Sequence, residues 1–267
     1  MDDTYARIMR PNEGPPNEGP RERRAARSRG SRSPGASGPK PGTPVVTGVR
    51  PAAKQATAKQ AAPEPGSPAE ATFAAAAAAF LAGRDAHGDR ELEFEDVPAP
   101  KRLAPFATAI AATVHRDDVD VAWGRLVLLY DPDGQEGWDG FFRLVAYVRA
   151  EVEPEMAADP LLGEVGWSWL SEALDAHVPG YAVPSGTVTR VITEGFGGKQ
   201  DEQTVTGFEL RASWSPTAPG TQRRPPQGSD LDSLDLSAHI AAWCDCLSAA
   251  AGLEPPGTRA LRHPGRG

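Results

Sequence analysis

Two alternating runs joined by a turn constrain this chain more than any other feature. In 121–130, Leu126, Leu128 and Tyr130 share one parity, and Trp123, Arg125, Val127 and Leu129 share the other. In 141–153, Leu144, Ala146, Val148 and Val152 alternate with Arg143, Tyr147, Arg149, Glu151 and Glu153. A period of two is strand geometry, with successive side chains on opposite faces. Asp131-Pro132-Asp133-Gly134 between the runs is strong turn chemistry. The region 121–153 is therefore expected to form a hairpin with a longish loop, and a hairpin requires antiparallel neighbours.

The other elements follow from the same reasoning. In 104–114, Phe106, Ile110 and Val114 keep one parity with Thr108 and Ala112, which predicts a strand before the hairpin. Strands at 186–194 and 203–214 flank Gly195-Phe196-Gly197-Gly198, a second hairpin. Glu91 to Val97 is a candidate short strand ended by Pro98 and Pro100.

Three helices are expected. Ser67-Pro68-Ala69-Glu70 is a capping box, after which Phe73, Ala77, Phe80 and Leu81 line one face, with Gly83 as the stop. Asp159-Pro160 opens the second helix, with Leu162, Val165, Trp169 and Ala173 toward the core, a face broadened by Leu170 and Leu174. The third runs over 233–251 with Leu236, Ile240, Trp243 and Leu247 as its stripe. The fold class is α+β: one antiparallel sheet of about five strands with helices on one face, in the order α-β3-α-β2-α. That order resembles the fold of type III secretion chaperones.

Composition divides the chain. Residues 1–70 hold 12 Pro and 8 Gly with no Leu, Phe or Trp. Such a segment cannot bury enough apolar area to offset the entropy of ordering it. The expected organisation is a disordered Pro/Gly/Arg-rich tail over 1–66, a single domain over 67–253, and a disordered tail over 254–267. Residues 1–70 carry 12 Lys+Arg against 7 Asp+Glu, and the remainder 16 against 29. An acidic domain argues against nucleic-acid binding except through the basic tail. The tail is either a flexible arm for an anionic surface or an unselected extension, such as a start placed too far upstream. The run contains no membrane-length apolar stretch and no secretory leader. The two cysteines, Cys244 and Cys246, point about 200° apart on a helix. Without a disulfide framework the chain is expected to be cytoplasmic.

No catalytic signature is present, and no cofactor is expected. Glu151, Glu153, Glu155 and Asp159 form the sharpest carboxylate group. It suits either a divalent-metal hydrolase or plain solvation beside a helix N-terminus. His239 and Cys246, seven residues apart, face alike. Two ligands do not make a zinc site, so packed helix residues are expected there. His115 and His177 fall at element ends, where surface positions are expected.

The more informative pattern is arginine on strands: Arg125, Arg143, Arg149, Arg190 and Arg211. Several of them, with Trp123, Tyr147, Glu151 and Glu209, are expected to share the face away from the helices; strand 186–194 is ambiguous, because Val188 and Ile192 share the parity of Arg190. The candidate binding residues are Arg125, Arg143, Tyr147, Arg149, Glu151 and Arg211. Such a face is either a recognition surface of guanidinium forks and aromatics or a solvated face laced by Arg–Glu pairs. Val127, Leu129 and Val145 make it too apolar for bare solvent surface, which suggests a protein partner or a homodimer.

Several of these stretches, Leu126 to Pro132, Glu153 to Leu162, Trp167 to Leu170, Ser185 to Arg190 and Glu209 to Pro216, resemble an actinobacterial family known as a domain of unknown function, DUF3000, over about 68–254. The resemblance implies a cytoplasmic bacterial protein and assigns no activity, cofactor or site residue. The function expected is a non-enzymatic cytoplasmic binding or chaperone-like module. A metal-dependent hydrolase and nucleic-acid contact through the tail are the alternatives.

Overall fold

The computed structural model describes residues 65–87, 92–200, 204–218 and 224–253. The two expected tails lie outside the described residues, apart from residues 65 and 66. The elements run α1 (Pro68–His87), β1 (Leu92–Asp96), β2 (Phe106–Arg116), β3 (Val119–Tyr130), β4 (Phe142–Glu151), α2 (Pro154–Ala158), α3 (Leu162–His177), β5 (Tyr181–Thr193), a 3-10 turn (Gly197–Lys199), β6 (Val205–Pro216), α4 (Ser229–Asp232) and α5 (Leu236–Ala250).

All strands pair antiparallel in one sheet of order β1-β2-β3-β4-β6-β5. The sheet has six strands where about five are expected, because 92–96 pairs with β2 from Leu92↔Val114 to Asp96↔Ile110. Four strands therefore precede the helical crossover. β2 and β3 meet through a two-residue turn in which Asp117 and Asp118 hold φ of 51° and 62°. Two successive left-handed residues give the turn whose twist matches the flanking strands.

The expected parities place the core. Ile110, Leu126, Leu128, Leu144, Val148, Leu210 and Trp214 are fully buried and meet α1, α3 and α5 in one cluster. Two glycines set how closely the helices approach. A Cβ on Gly124 in mid-β3 would lie 2.8 Å from the Trp243 ring of α5, and one on Gly166 of α3 would lie 2.2 Å from the Phe208 ring. These are the positions where side-chain rings press against backbone.

The helix boundaries differ from expectation for identifiable reasons. Ser67 Oγ accepts from the Glu70 N–H at 3.2 Å, as a cap should, but α1 runs past Gly83 to His87. Gly83 serves the contact with α5, where a Cβ would come 2.7 Å from the Ser237 backbone. At the second helix, residues 154–158 form a separate turn, and Asp159 closes it while its carboxylate accepts from the Leu161 N–H at 2.8 Å. The buried stripe of α3 is Leu162, Gly166, Leu170, Ala173 and Leu174, so Val165 faces outward. The stripe turns because the sheet meets the helix at its glycine. Trp167 packs over Gly186 of β5, and Trp169 meets Phe208 edge-on at 5.4 Å. The stripe of α5 is buried as expected, and Asp235 caps it by accepting from the Ala238 N–H.

The opposite face of the sheet is half covered by the chain itself. Ala109, Val127, Leu129 and Val145 form a second buried cluster with Trp138, closed by Val97, Ala99, Leu103 and Ala104 from the β1–β2 connection. Gln135 Nε2 ties the two covering loops together, donating to Leu103 O and Asp131 Oδ2 at 3.0 Å each. The apolar residues expected to signal a partner are therefore capped within the chain.

Candidate functional site

The pairing register brings the predicted residues onto one face. Arg125, Tyr147, Arg211 and Thr187 lie directly across from one another on β3, β4, β6 and β5. Trp123, Arg149, Glu209 and Thr189 form the adjacent row. Glu151 ends β4 opposite Gly207 on the same face and is exposed. On the far side the rows close with Glu93 and Glu95 of β1, opposite Thr113 and Ala111. The face is thus zoned, with guanidinium groups over β3, β4 and β6 and carboxylates at the β1 edge.

Within these rows the side chains engage unevenly. Arg211 Nη2 holds Glu209 Oε2 at 2.6 Å, and its guanidinium carbon lies 5.3 Å from the centre of the Tyr147 ring. Tyr147 meets Trp123 edge-on at 5.7 Å. Burial, followed by the Glu209 charge and hydrogen bond, pushes the Tyr147 hydroxyl up to about 12, so it stays a donor at any physiological pH. Arg125 donates to Pro98 O, at the end of the strap that covers the other half, and burial lowers its pKa from the ordinary value. Among the described residues no hydrogen bond or ion pair holds Arg149, which is exposed and near enough to Tyr147 for its charge to act on the hydroxyl.

Arg143 has a different position. It lies on the same face but is only 7 % exposed, under Trp138 and the bulged start of β5. Its guanidinium donates to Ser213 Oγ at 2.8 Å, Val183 O at 3.1 Å, and Ser185 Oγ, Ser213 O and Ser215 Oγ at 3.3 Å. A planar five-donor fork suits such a web of oxygens. It also holds Val183, a β-branched residue at φ 43°. Arg143 joins β4 to β6 and β5 and is not accessible to a ligand.

Residues 69–259 match the family model described as "Protein of unknown function (DUF3000)". The chain belongs to the DUF3000 family. No curated protein and no solved structure matches it.

Other predicted residues in this DUF3000 chain do not assemble. Arg190 pairs with Phe208, which puts it on the helix side of the sheet, where it donates to Asp159 O at 2.9 Å. Glu151 ends β4 and Glu153 is the N-cap of α2, so the expected shared strand face does not exist. Among the described residues no group of three or more His, Cys, Asp or Glu is placed to hold a metal ion. His239 is fully buried, its Nδ1 accepting from Trp214 Nε1 at 3.0 Å, and burial pushes its pKa down to about 3. Cys246 is buried and its thiol is pushed up to about 12 by burial. Neither is poised for chemistry. His115 lies between Glu93 and Asp120, and His177 pairs with Asp245 at 2.6 Å. No helix among the described residues is long and apolar enough to cross a membrane.

Sequence reasoning missed the division of the face. The signal was available in Val97, Ala99, Leu103 and Ala104, apolar residues interrupted by prolines, which suit a strap lying over a sheet.

Proposed function

We propose that the chain is a non-enzymatic binding module whose open half-face takes an acidic segment of a protein partner. One observation carries the reading. Three arginines from three neighbouring strands, Arg125, Arg149 and Arg211, gather about half-buried Trp123 and the Tyr147 ring, itself only 6 % exposed, on the part of this sheet face that lies outside the second buried cluster. Arg149 is the available cation, and Arg211 and Glu209 fix the Tyr147 ring beside it. Guanidinium groups recognise carboxylates with two parallel hydrogen bonds, and the half-buried Trp123 ring adds contact area, with Tyr147 supporting it from beneath.

The chaperone-like reading draws on element order. A client-binding, chaperone-like role is the finer form of the proposal; it rests on the expected order α-β3-α-β2-α alone, to which the structure adds the strand β1. The cytoplasm is the proposed setting, in keeping with a sequence whose two cysteines, Cys244 and Cys246, form no disulfide framework.

Affinity capture from the native cell with wild-type and Arg149→Glu baits tests the reading. The expected result is a partner recovered by the wild type, at least tenfold depleted with Arg149→Glu, and rich in Asp and Glu at the crosslinked segment. An unchanged set of recovered proteins would remove the open face from recognition.

A further inference from the structure

We infer that two copies of this chain join along the outer edge of β5, about a two-fold axis at Ile192, into one continuous antiparallel sheet. β5 is the last strand of the sheet, and no described strand lies on its outer side. An edge strand offers a row of unpaired backbone donors and acceptors, and soluble proteins blunt such edges with prolines, bulges and charges. β5 does this at one end only, with Pro184 inside the bulge between Ala182 and Ser185. Beyond it, Thr187-Val-Thr-Arg-Val-Ile-Thr193 has no proline, a single charge and six β-branched residues.

Exposed apolar surface gathers at the same place. Ile192 is 59 % exposed and Phe196 79 %. Of the large apolar side chains exposed among the described residues, all but Val119 belong to β5, to the turn and strand after it, or to the α2–α3 segment packed beside it.

The sequence of the edge is complementary to itself in one register. Antiparallel pairing about Ile192 sets Ile192 against its own copy. It also places Arg190 opposite Glu194 of the second copy, and Val188 opposite its Phe196. Val188, Arg190 and Ile192 lie on the helix side of the sheet, where Leu161 and Val165 of both copies would flank the axis, and Glu194 and Phe196 follow directly on the last strand residue, Thr193. Centring the axis on Arg190 would oppose two guanidinium groups, which is destabilising. Centring it on Thr189 or Val191 would leave Arg190 against Val188 or Ile192. Ion pairing therefore selects the axis, and the interface is isologous.

Light scattering on the full chain after size exclusion tests this. The expected mass is twice the 28.2 kDa of one chain. Arg190→Glu and Glu194→Arg should each give monomers with unchanged far-ultraviolet circular dichroism. Mixing the two variants should restore a dimer, since each then meets the opposite charge. Ile192→Lys should be monomeric as well. A wild-type monomer throughout the micromolar range would overturn the proposal, whether or not the edge takes a strand from another protein. A dimer unaffected by the single variants, or a mixture that stays monomeric, would overturn it too.

Discussion

Arg149 of β4 stands directly opposite Glu209 of β6, yet the Glu209 carboxylate is held by Arg211, two residues along its own strand, at 2.6 Å. The cross-strand pair that would have neutralised the face is thereby not made. Arg211 is committed to Glu209 and the Tyr147 ring, Arg125 to Pro98 O, and Arg149 is left facing solvent. A fully laced Arg–Glu face would have been a sufficient account of these residues. The intrastrand bond makes a binding surface the better one.

Arg143 is expected to behave as a structural residue. Arg143→Lys keeps the charge but cannot span the five oxygens that the guanidinium reaches, so several would lose their donor. Urea unfolding should show a loss of about 2–3 kcal/mol, the scale of hydrogen bonds to a charged buried group. Partner capture at temperatures where the variant remains folded should be unchanged.

Gly166→Ala should be destabilising although alanine favours helices. The added methyl would meet the Phe208 ring at 2.2 Å, and Phe208 is fully buried. Overpacking of this kind costs about 1–3 kcal/mol, against a propensity gain of about 1 kcal/mol. Pairing Gly166→Ala with Phe208→Leu should recover part of the loss in thermal unfolding.

The covering strap should depend on Trp138. Trp138→Ala removes the largest side chain of the second cluster and should cost about 3 kcal/mol. Limited proteolysis should then cut faster within 97–105, where Lys101 and Arg102 are exposed, before it cuts the sheet.

His239 gives a pH signature. Unfolding returns it to an ordinary pKa near 6.5, whereas the folded value is pushed down to about 3 by burial. Between those values the unfolded chain binds a proton that the folded chain refuses, so stability falls as pH drops through that window. His239→Gln, which can still accept from Trp214, does not titrate. The stability difference between wild type and variant should shift in the variant's favour as pH is lowered from about 7 to 4.

Strand parity was legible in the sequence because one face of each strand is buried and polar residues alternate with apolar ones. That is why Arg125, Arg143, Tyr147, Arg149, Glu151 and Arg211 fall on one face as read from their spacing. Three things were not legible. Arg143 and Arg149 occupy the same parity, and only the Trp138 loop and the β5 bulge decide which of them is buried. Val188, Arg190 and Ile192 share a parity that reads as either face, because an edge strand is half solvated on both sides. Gly83 reads as a helix stop and Gly166 carries no signal of its own in the sequence, whereas their reason lies in another element, 154 residues along for Gly83 and 42 for Gly166.

The central claim is that the half-face around Arg149 is where a partner sits. A photo-crosslinking residue at Thr189, exposed in the same row as Arg149 and Glu209, measures this directly in the native cell. The account expects a discrete protein adduct that disappears when Arg149→Glu is added. Absence of any adduct at Thr189, or an adduct of equal yield in the Arg149→Glu background, would contradict it.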